Sequence, residues 1–158
     1  MALEIERKFL VDGDFRKEAF LSVRMKQGYI CTLPDRTVRV RIAGDTAFLT
    51  IKGPSDASGL SRFEWEKEIS VAEADELFAL AGPGIIDKTR YYVHNSDGVH
   101  TWEVDEFHSD NEGLIVAEIE LSSPEDTFCK PSWLGTEVTG DHKYSNSSLS
   151  KNPFRNWR

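Results

Sequence analysis

An alternation with a period of two runs through most of this chain and constrains its fold more than any other feature. Side chains at every second position of an extended segment share a face, so alternating ionisable and apolar residues make a strand with one charged and one apolar surface. In Leu3–Val11, Glu4, Glu6 and Lys8 oppose Leu3, Ile5 and Phe9. Arg36–Ala43 sets Thr37, Arg39 and Arg41 against Val38, Val40 and Ile42, and Ala47–Lys52 sets Phe48, Thr50 and Lys52 against Ala47, Leu49 and Ile51. Arg62–Ile69 opposes Arg62, Glu64, Glu66 and Glu68 to Phe63, Trp65 and Ile69. Ile85–Val93 places Lys88 and Arg90 together; Val99–Phe107 places Thr101, Glu103 and Asp105 opposite His100, Trp102 and Val104; and Leu114–Leu121 places Glu118 and Glu120 opposite Ala117, Ile119 and Leu121. With Met25–Leu33, built around Gln27-Gly28-Tyr29, these make eight extended stretches.

The segments between them read as turns and short helices. Asp12-Gly13-Asp14 signals a turn that opens a short helix over Phe15–Phe20, and Pro34-Asp35 and Gly44-Asp45 join neighbouring strands. Gly53–Ser61 is a polar loop. Ser70 with Glu73 has the spacing of a capping box, followed by Val71, Ala74, Leu77, Phe78 and Ala81 at helical spacing and by the stop Gly82-Pro83-Gly84. Ser123-Pro124-Glu125-Asp126 reads as a further helix start and Asn146–Ser150 as a short helix.

The chain of 158 residues is expected to form one domain. No apolar run reaches the roughly 18 residues of a membrane helix. The N-terminus carries acids where an export signal is basic and then apolar. Cys31 and Cys129 form no CxxC pattern. The expectation is a cytoplasmic protein without a membrane partner. A net charge of −8 argues against nucleic acid as a partner held by general attraction.

Two arrangements fit the alternation. One is an open sheet whose charged face is solvated and paired across strands. The other is a closed barrel, for which eight antiparallel strands suffice. With charged faces inward, the lumen holds the carboxylates Glu4, Glu6, Glu64, Glu66, Glu103, Asp105, Glu118 and Glu120 and the bases Lys8, Arg39, Arg41, Lys52, Lys88 and Arg90. The outward apolar faces then need cover from helices or from a second copy of the chain, a homodimer. Glu4 and Glu6, with Cα atoms roughly 6.6 Å apart on a strand, can converge on one hard cation. Confined charges on this scale call for a polyanion held together with divalent metal: Arg and Lys on phosphate oxygens, carboxylates on Mg²⁺ or Mn²⁺. The three acidic pairs nominate Glu4, Glu6, Asp105, Glu118 and Glu120 as metal ligands, with Glu64, Glu66 and Glu103 as lumen carboxylates of open role. Lys8, Arg39, Arg41, Lys52 and Arg90 are the expected phosphate clamp.

These residues resemble the CYTH domain proteins, or triphosphate tunnel metalloenzymes. Glu4-Ile5-Glu6-Arg7-Lys8 is similar to the family's opening Glu-x-Glu-x-Lys. The order continues with Gln27-Gly28-Tyr29, Arg39-Val40-Arg41, Thr50-Ile51-Lys52-Gly53, Arg62 to Glu66, Lys88-Thr89-Arg90-Tyr91, Trp102-Glu103-Val104-Asp105, Glu118-Ile119-Glu120-Leu121 and Lys143-Tyr144-Ser145-Asn146. The motifs span residues 2–149 of a single domain over 1–158; the tail 150–158 has no counterpart. The resemblance implies a mainly β fold, a closed eight-stranded antiparallel β-barrel with a few covering helices, and a metal-dependent triphosphatase acting on a small-molecule triphosphate. Compact bacterial members are similar to inorganic tripolyphosphatases. Other readings are an adenylate cyclase of the same fold, a thiamine or nucleoside triphosphatase, and a non-catalytic polyphosphate-binding module. Lys143, where relatives carry Arg, is then a further phosphate contact. The same resemblance suggests Tyr29 paired with Lys88 as the proton acceptor, since an adjacent ammonium favours a phenolate.

Overall fold

Eight strands close on themselves in the computed structural model, which describes residues 3–157. Among those residues there are β1 (Leu3–Val11), β2 (Ala19–Leu33), β3 (Arg36–Ala43), β4 (Thr46–Ser55), β5 (Ser61–Ile69), β6 (Ile86–His94), β7 (Thr101–Phe107), β8 (Ile115–Glu120) and β9 (Leu134–Glu137), with helices α1 (Val71–Phe78) and α2 (Asn146–Lys151). The order is β5-β4-β3-β2-β6-β7-β8-β1, and β1 pairs with β5 to complete the ring. Every pairing is antiparallel. The expected eight-stranded antiparallel barrel is therefore the fold, with the added strand β9 on the outside of the count. Closure removes the exposed strand edges that an open sheet of this size would present.

One edge of β1 is shared by two partners. Its first residues pair with β5, Glu4 opposite Arg62, and its last with β9, Phe9 opposite Glu137. Between them the Glu6 amide donates to the Leu60 carbonyl and the Lys8 amide to Thr139 Oγ1. The strand that carries Glu4, Glu6 and Lys8 is thus bonded along its whole length.

Outward faces are apolar and covered on two sides. Phe9, Trp102, Val104, Ala117 and Ile119 pack beneath Phe15, Phe128 and Trp133, which come from the segments before β2 and before β9. Val40 and Ala47 pack beneath Ala74, Leu77 and Phe78 of α1. The Ser70–Glu73 capping box is formed. Trp65 and Leu3 remain exposed on the wall made by β5 and the start of β1. At one end the inward faces themselves become apolar. Leu10, Ile86, Phe107 and Val116 continue the faces of Lys8, Lys88, Asp105 and Glu118, and Leu149 of α2 packs among them with Phe154 and Trp157 close by. The C-terminal segment therefore plugs the barrel.

Local expectations held less uniformly. Phe15–Phe20 is no helix: Phe15 is fully buried against Tyr91 and Trp133, only Arg16–Glu18 forms a 3₁₀ turn, and the chain is already in β2 at Ala19. Ser123–Asp126 starts no helix either, because the Asp126 carboxylate takes the amide and hydroxyl of Ser122 and the ring of His100. No helix among the described residues is long and apolar enough to cross a membrane.

Candidate active site

Register decides which charges meet in the lumen. Glu6 lies opposite Glu120, Lys8 opposite Glu118, and Glu103 opposite Glu118, so β1, β8 and β7 bring their acids into one row. Glu64 and Glu66 of β5 extend that row on the other side of β1. The remaining strands, β4, β3, β2 and β6, are also consecutive in the ring and carry Lys52, Arg39, Arg41, Lys88 and Arg90. The barrel wall is thus divided into an acid half and a basic half, with Lys8 and Arg62 as the bases embedded among acids.

Between the halves lies a cavity of about 250 Å³ lined by Glu4, Glu6, Lys8, Tyr29, Arg39, Arg41, Lys52, Arg62, Glu64, Glu66, Arg90, Glu103, Glu118 and Glu120, together with Thr37 and Ser145–Ser147. Most of the nominated residues are brought together here. Three are not. Lys88 and Asp105 are buried behind the lining, and Lys143 is exposed, its ammonium over the Tyr144 and Trp157 rings.

Asp105 is committed to protein cations. It accepts Lys88 Nζ at 2.7 Å and Arg90 through Nε at 2.7 Å and Nη2 at 2.9 Å. Expected as a metal ligand, Asp105 is instead found engaged with two bases and away from the cavity lining. The carboxyl is depressed, since the Arg90 and Lys88 charges outweigh its burial. One carboxylate faces two buried cations, and Lys88 bears the deficit. Burial pushes its ammonium down to about 8 despite the pull of Asp105. The expected pairing of Lys88 with Tyr29 is not made. Lys88 stands opposite Met25 across β2, several positions from Tyr29, and the Tyr29 hydroxyl instead accepts Gln27 Nε2 at 3.3 Å.

The acids respond to their neighbours. Burial raises Glu6, and the Glu118 and Glu4 charges push it well above the usual carboxylate range; Glu118, partly buried, is held low by Lys8. Glu4 is held below the usual range because Lys52, 3.0 Å away, outweighs its burial. Glu103 and Glu120 are raised chiefly by burial. On the basic half, burial and the Arg39 and Arg90 charges bring Arg41 down to about 10. Arg39 and Arg41 each reach Glu66, at 3.7 and 3.8 Å, yet their buried Nε atoms have no hydrogen-bond acceptor.

The donor set suits a hard divalent cation: it is made of carboxylate oxygens with no sulfur or imidazole. Glu6, its carboxyl raised by burial and then by the neighbouring acids, marks where positive charge is wanted. Among the described residues no three metal-binding side chains are gathered tightly enough to hold an ion as they stand. The lysines explain this: Lys52 reaches Glu4 at 3.0 Å and Glu64 at 3.4 Å, and Lys8 reaches Glu118 at 3.9 Å. An ion must replace those contacts.

Arg62 is the lining residue that sequence reasoning passed over. It shares the face of Glu64 and Glu66 and falls inside a quoted motif, which was the available signal. Ser145 and Asn146 also fall inside a motif, whereas Ser147 had no such signal.

Comparison with known proteins agrees with this geometry. The sequence model of the CYTH domain matches residues 2–153. An inorganic triphosphatase of Acetivibrio thermocellus is 48% identical, the alignment covering 100% of this chain and 99% of that protein. An inorganic triphosphatase of Nitrosomonas europaea is 36% identical over 93% of this chain and 96% of its own length. The crystal structure of the inorganic triphosphatase NE1496 superposes with a TM-score of 0.67 at 33% identity, covering 92% of this chain and 96% of that one.

Proposed function

The chain belongs to the CYTH domain family, and from that premise we propose that it hydrolyses inorganic tripolyphosphate to pyrophosphate and orthophosphate inside the barrel. The division of the wall carries this reading. Across one cavity, four adjacent strands of acids face a half-wall whose bases come from β4, β3 and β6, with Tyr29 from β2 between them, which is the arrangement a phosphate chain and its counter-ions require. A simple anion sink would be weakened by the acids.

The phosphate chain lies along the basic half. Arg39 and Arg41, which line the cavity, grip its oxygens, and Arg90 is held in orientation by its two bonds to Asp105. Lys52 and Lys8 complete the clamp once their acid partners take up metal. Glu4, Glu6, Glu118 and Glu120 are the proposed holders of Mg²⁺ or Mn²⁺, with Glu103 and Glu64 within the same wall. A divalent ion bound there neutralises phosphate charge and makes water more acidic. Water attacks the terminal phosphorus, the bridging P–O bond breaks, and pyrophosphate leaves with the bonding pair. Tyr29, whose hydroxyl oxygen accepts the Gln27 amide at the cavity wall, is the proposed acceptor of the water proton. Lys88 acts from behind the lining by adding positive potential at Arg90 and Asp105. Such chemistry is positioning plus charge neutralisation.

Inorganic substrate is favoured over nucleotide or thiamine triphosphate because the tunnel lining contains no aliphatic side chain, and Tyr29 is its one aromatic. The test measures phosphate release from tripolyphosphate, ATP, thiamine triphosphate and pyrophosphate with Mg²⁺ or Mn²⁺ and with chelator. Tripolyphosphate should be turned over fastest and chelator should stop it. Faster ATP turnover, or release that survives chelation, sinks the reading.

A further inference from the structure

Arg62 differs from every other cation in the lumen. Lys8, Arg39, Arg41, Lys52, Lys88 and Arg90 each lie within 4.0 Å of a carboxylate. Arg62 has no such partner among the described residues, although Glu4 is its cross-strand neighbour. Its Nε and Nη2 both donate to the Gly53 carbonyl, at 3.1 and 2.8 Å. That carbonyl is placed by the irregularity of β4 between Lys52 and Ser55. The guanidinium is thereby fixed in orientation while its charge stays unpaired.

Where it is fixed matters. Arg62 lines the tunnel and also a second cavity of about 210 Å³ that lies between the β2–β3 turn and α2. Thr37, Ser145 and Ser147 are likewise shared, so the two spaces adjoin. The second cavity is of another kind. Beyond the shared residues it adds Thr32, Ser55, His142, Ser148 and Lys151 with Leu33 and Pro34 of the β2–β3 turn, and its lining includes no carboxylate. Lys151 is anchored by donating to the Thr32 carbonyl at 3.3 Å. Hydroxyls with unpaired cations bind phosphate oxygens directly, whereas metal bridging needs the carboxylates that this cavity lacks.

We propose that Arg62 and the adjoining cavity form a metal-independent phosphate subsite that receives the fourth phosphate of a linear chain, and so set the chain-length preference of the enzyme. The proposal rests on the tripolyphosphatase reading for what fills the tunnel. Arg62 stands at the junction as the specificity-determining residue; Lys151 is the far contact.

Equilibrium binding by calorimetry in chelator tests it, comparing tripolyphosphate, tetrapolyphosphate and ATP on the wild type, Arg62→Gln and Lys151→Met, each confirmed folded by circular dichroism. The wild type should bind tetrapolyphosphate about tenfold more tightly than tripolyphosphate, the size of one charge-assisted contact. Lys151→Met should erase that difference and leave both the affinity for tripolyphosphate and its rate of hydrolysis unchanged. Arg62→Gln should erase it as well. Equal affinities in the wild type overturn the proposal, and so does an equal loss for both chain lengths in Lys151→Met. Variants that weaken ATP but not tetrapolyphosphate assign the cavity to an organic group instead. Binding in chelator needs no turnover, so a failure to hydrolyse tripolyphosphate refutes the catalytic reading separately.

Discussion

Two buried cations share Asp105, and at the scale of single residues this is the most charged commitment in the molecule. Lys88 and Asp105 are 0% and 2% exposed, with Arg90 bonded beside them. Removing one partner of a buried ion network leaves the others uncompensated, at a cost of about 3–5 kcal/mol. Asp105→Asn should therefore lose stability on that order in urea denaturation while keeping its affinity for Mn²⁺, measured by calorimetry. Glu118→Gln should do the reverse. Loss of metal affinity in Asp105→Asn with stability intact would restore Asp105 as a ligand. The distinction was out of reach of the sequence for a physical reason. Period two places Glu103 and Asp105 on one face, and both do face inward, but it carries no measure of depth along the barrel. Glu103 reaches the cavity and Asp105 stops at the Lys88–Arg90 pair. The Tyr29–Lys88 pairing failed for a related reason, since it depends on the register of β2 against β6, two strands far apart in the chain.

Elements are tied to one another by polar straps, and His100 makes one with both ring nitrogens. Its Nδ1 lies 2.6 Å from Asp97 and its Nε2 2.9 Å from Asp126, joining the turn between β6 and β7 to the segment after β8, with the Phe128 ring edge-on beside it. These two carboxylates raise the imidazole above its ordinary 6.5, Asp126 foremost. A raised basic group stabilises the fold fully below its unfolded pKa, and that contribution is lost as pH rises through the folded value. Asp126 runs the other way. The Ser122 amide and His100 hold it down to about 2, so its contribution is present above the ordinary 3.8 and lost as pH falls. The strap is complete between about pH 4 and 6.5. Thermal unfolding of the wild type should weaken from pH 6.5 to 8, and His100→Gln should remove that slope. Identical slopes in both proteins would show the imidazole to be neutral throughout. Strands and α1 were legible as elements because alternation and the capping box are local. β9 was not: Leu134–Glu137 has no alternation and exists because the last residues of β1 offer a free edge, which Gly135 approaches so closely that a Cβ there would lie 2.9 Å from the Leu10 carbonyl.

At the scale of the whole molecule, closure turns a property of separate strands into two opposed walls. An open sheet would let each charged face find water and counter-ions on its own. In the barrel the acids of β7, β8, β1 and β5 and the bases of β6, β3 and β4 neutralise one another across a narrow space, and each wall makes the other available. A cation held by the acid wall would compete with Lys52 for Glu4 and Glu64 and with Lys8 for Glu118, and would leave those ammoniums to phosphate. An anion on the basic wall loosens the same contacts from the other side. Metal and phosphate chain should therefore stabilise the folded protein cooperatively, each by mass action on the native state and together by more than the sum. The measurement is the shift in melting temperature with Mn²⁺ alone, with a non-hydrolysable imido analogue of tripolyphosphate alone, and with both. Lys52→Met should reduce the excess, because the ammonium that changes partners is gone. A combined shift equal to the sum of the separate ones, in the wild type, would mean that the two walls bind independently and that no lysine passes from acid to phosphate.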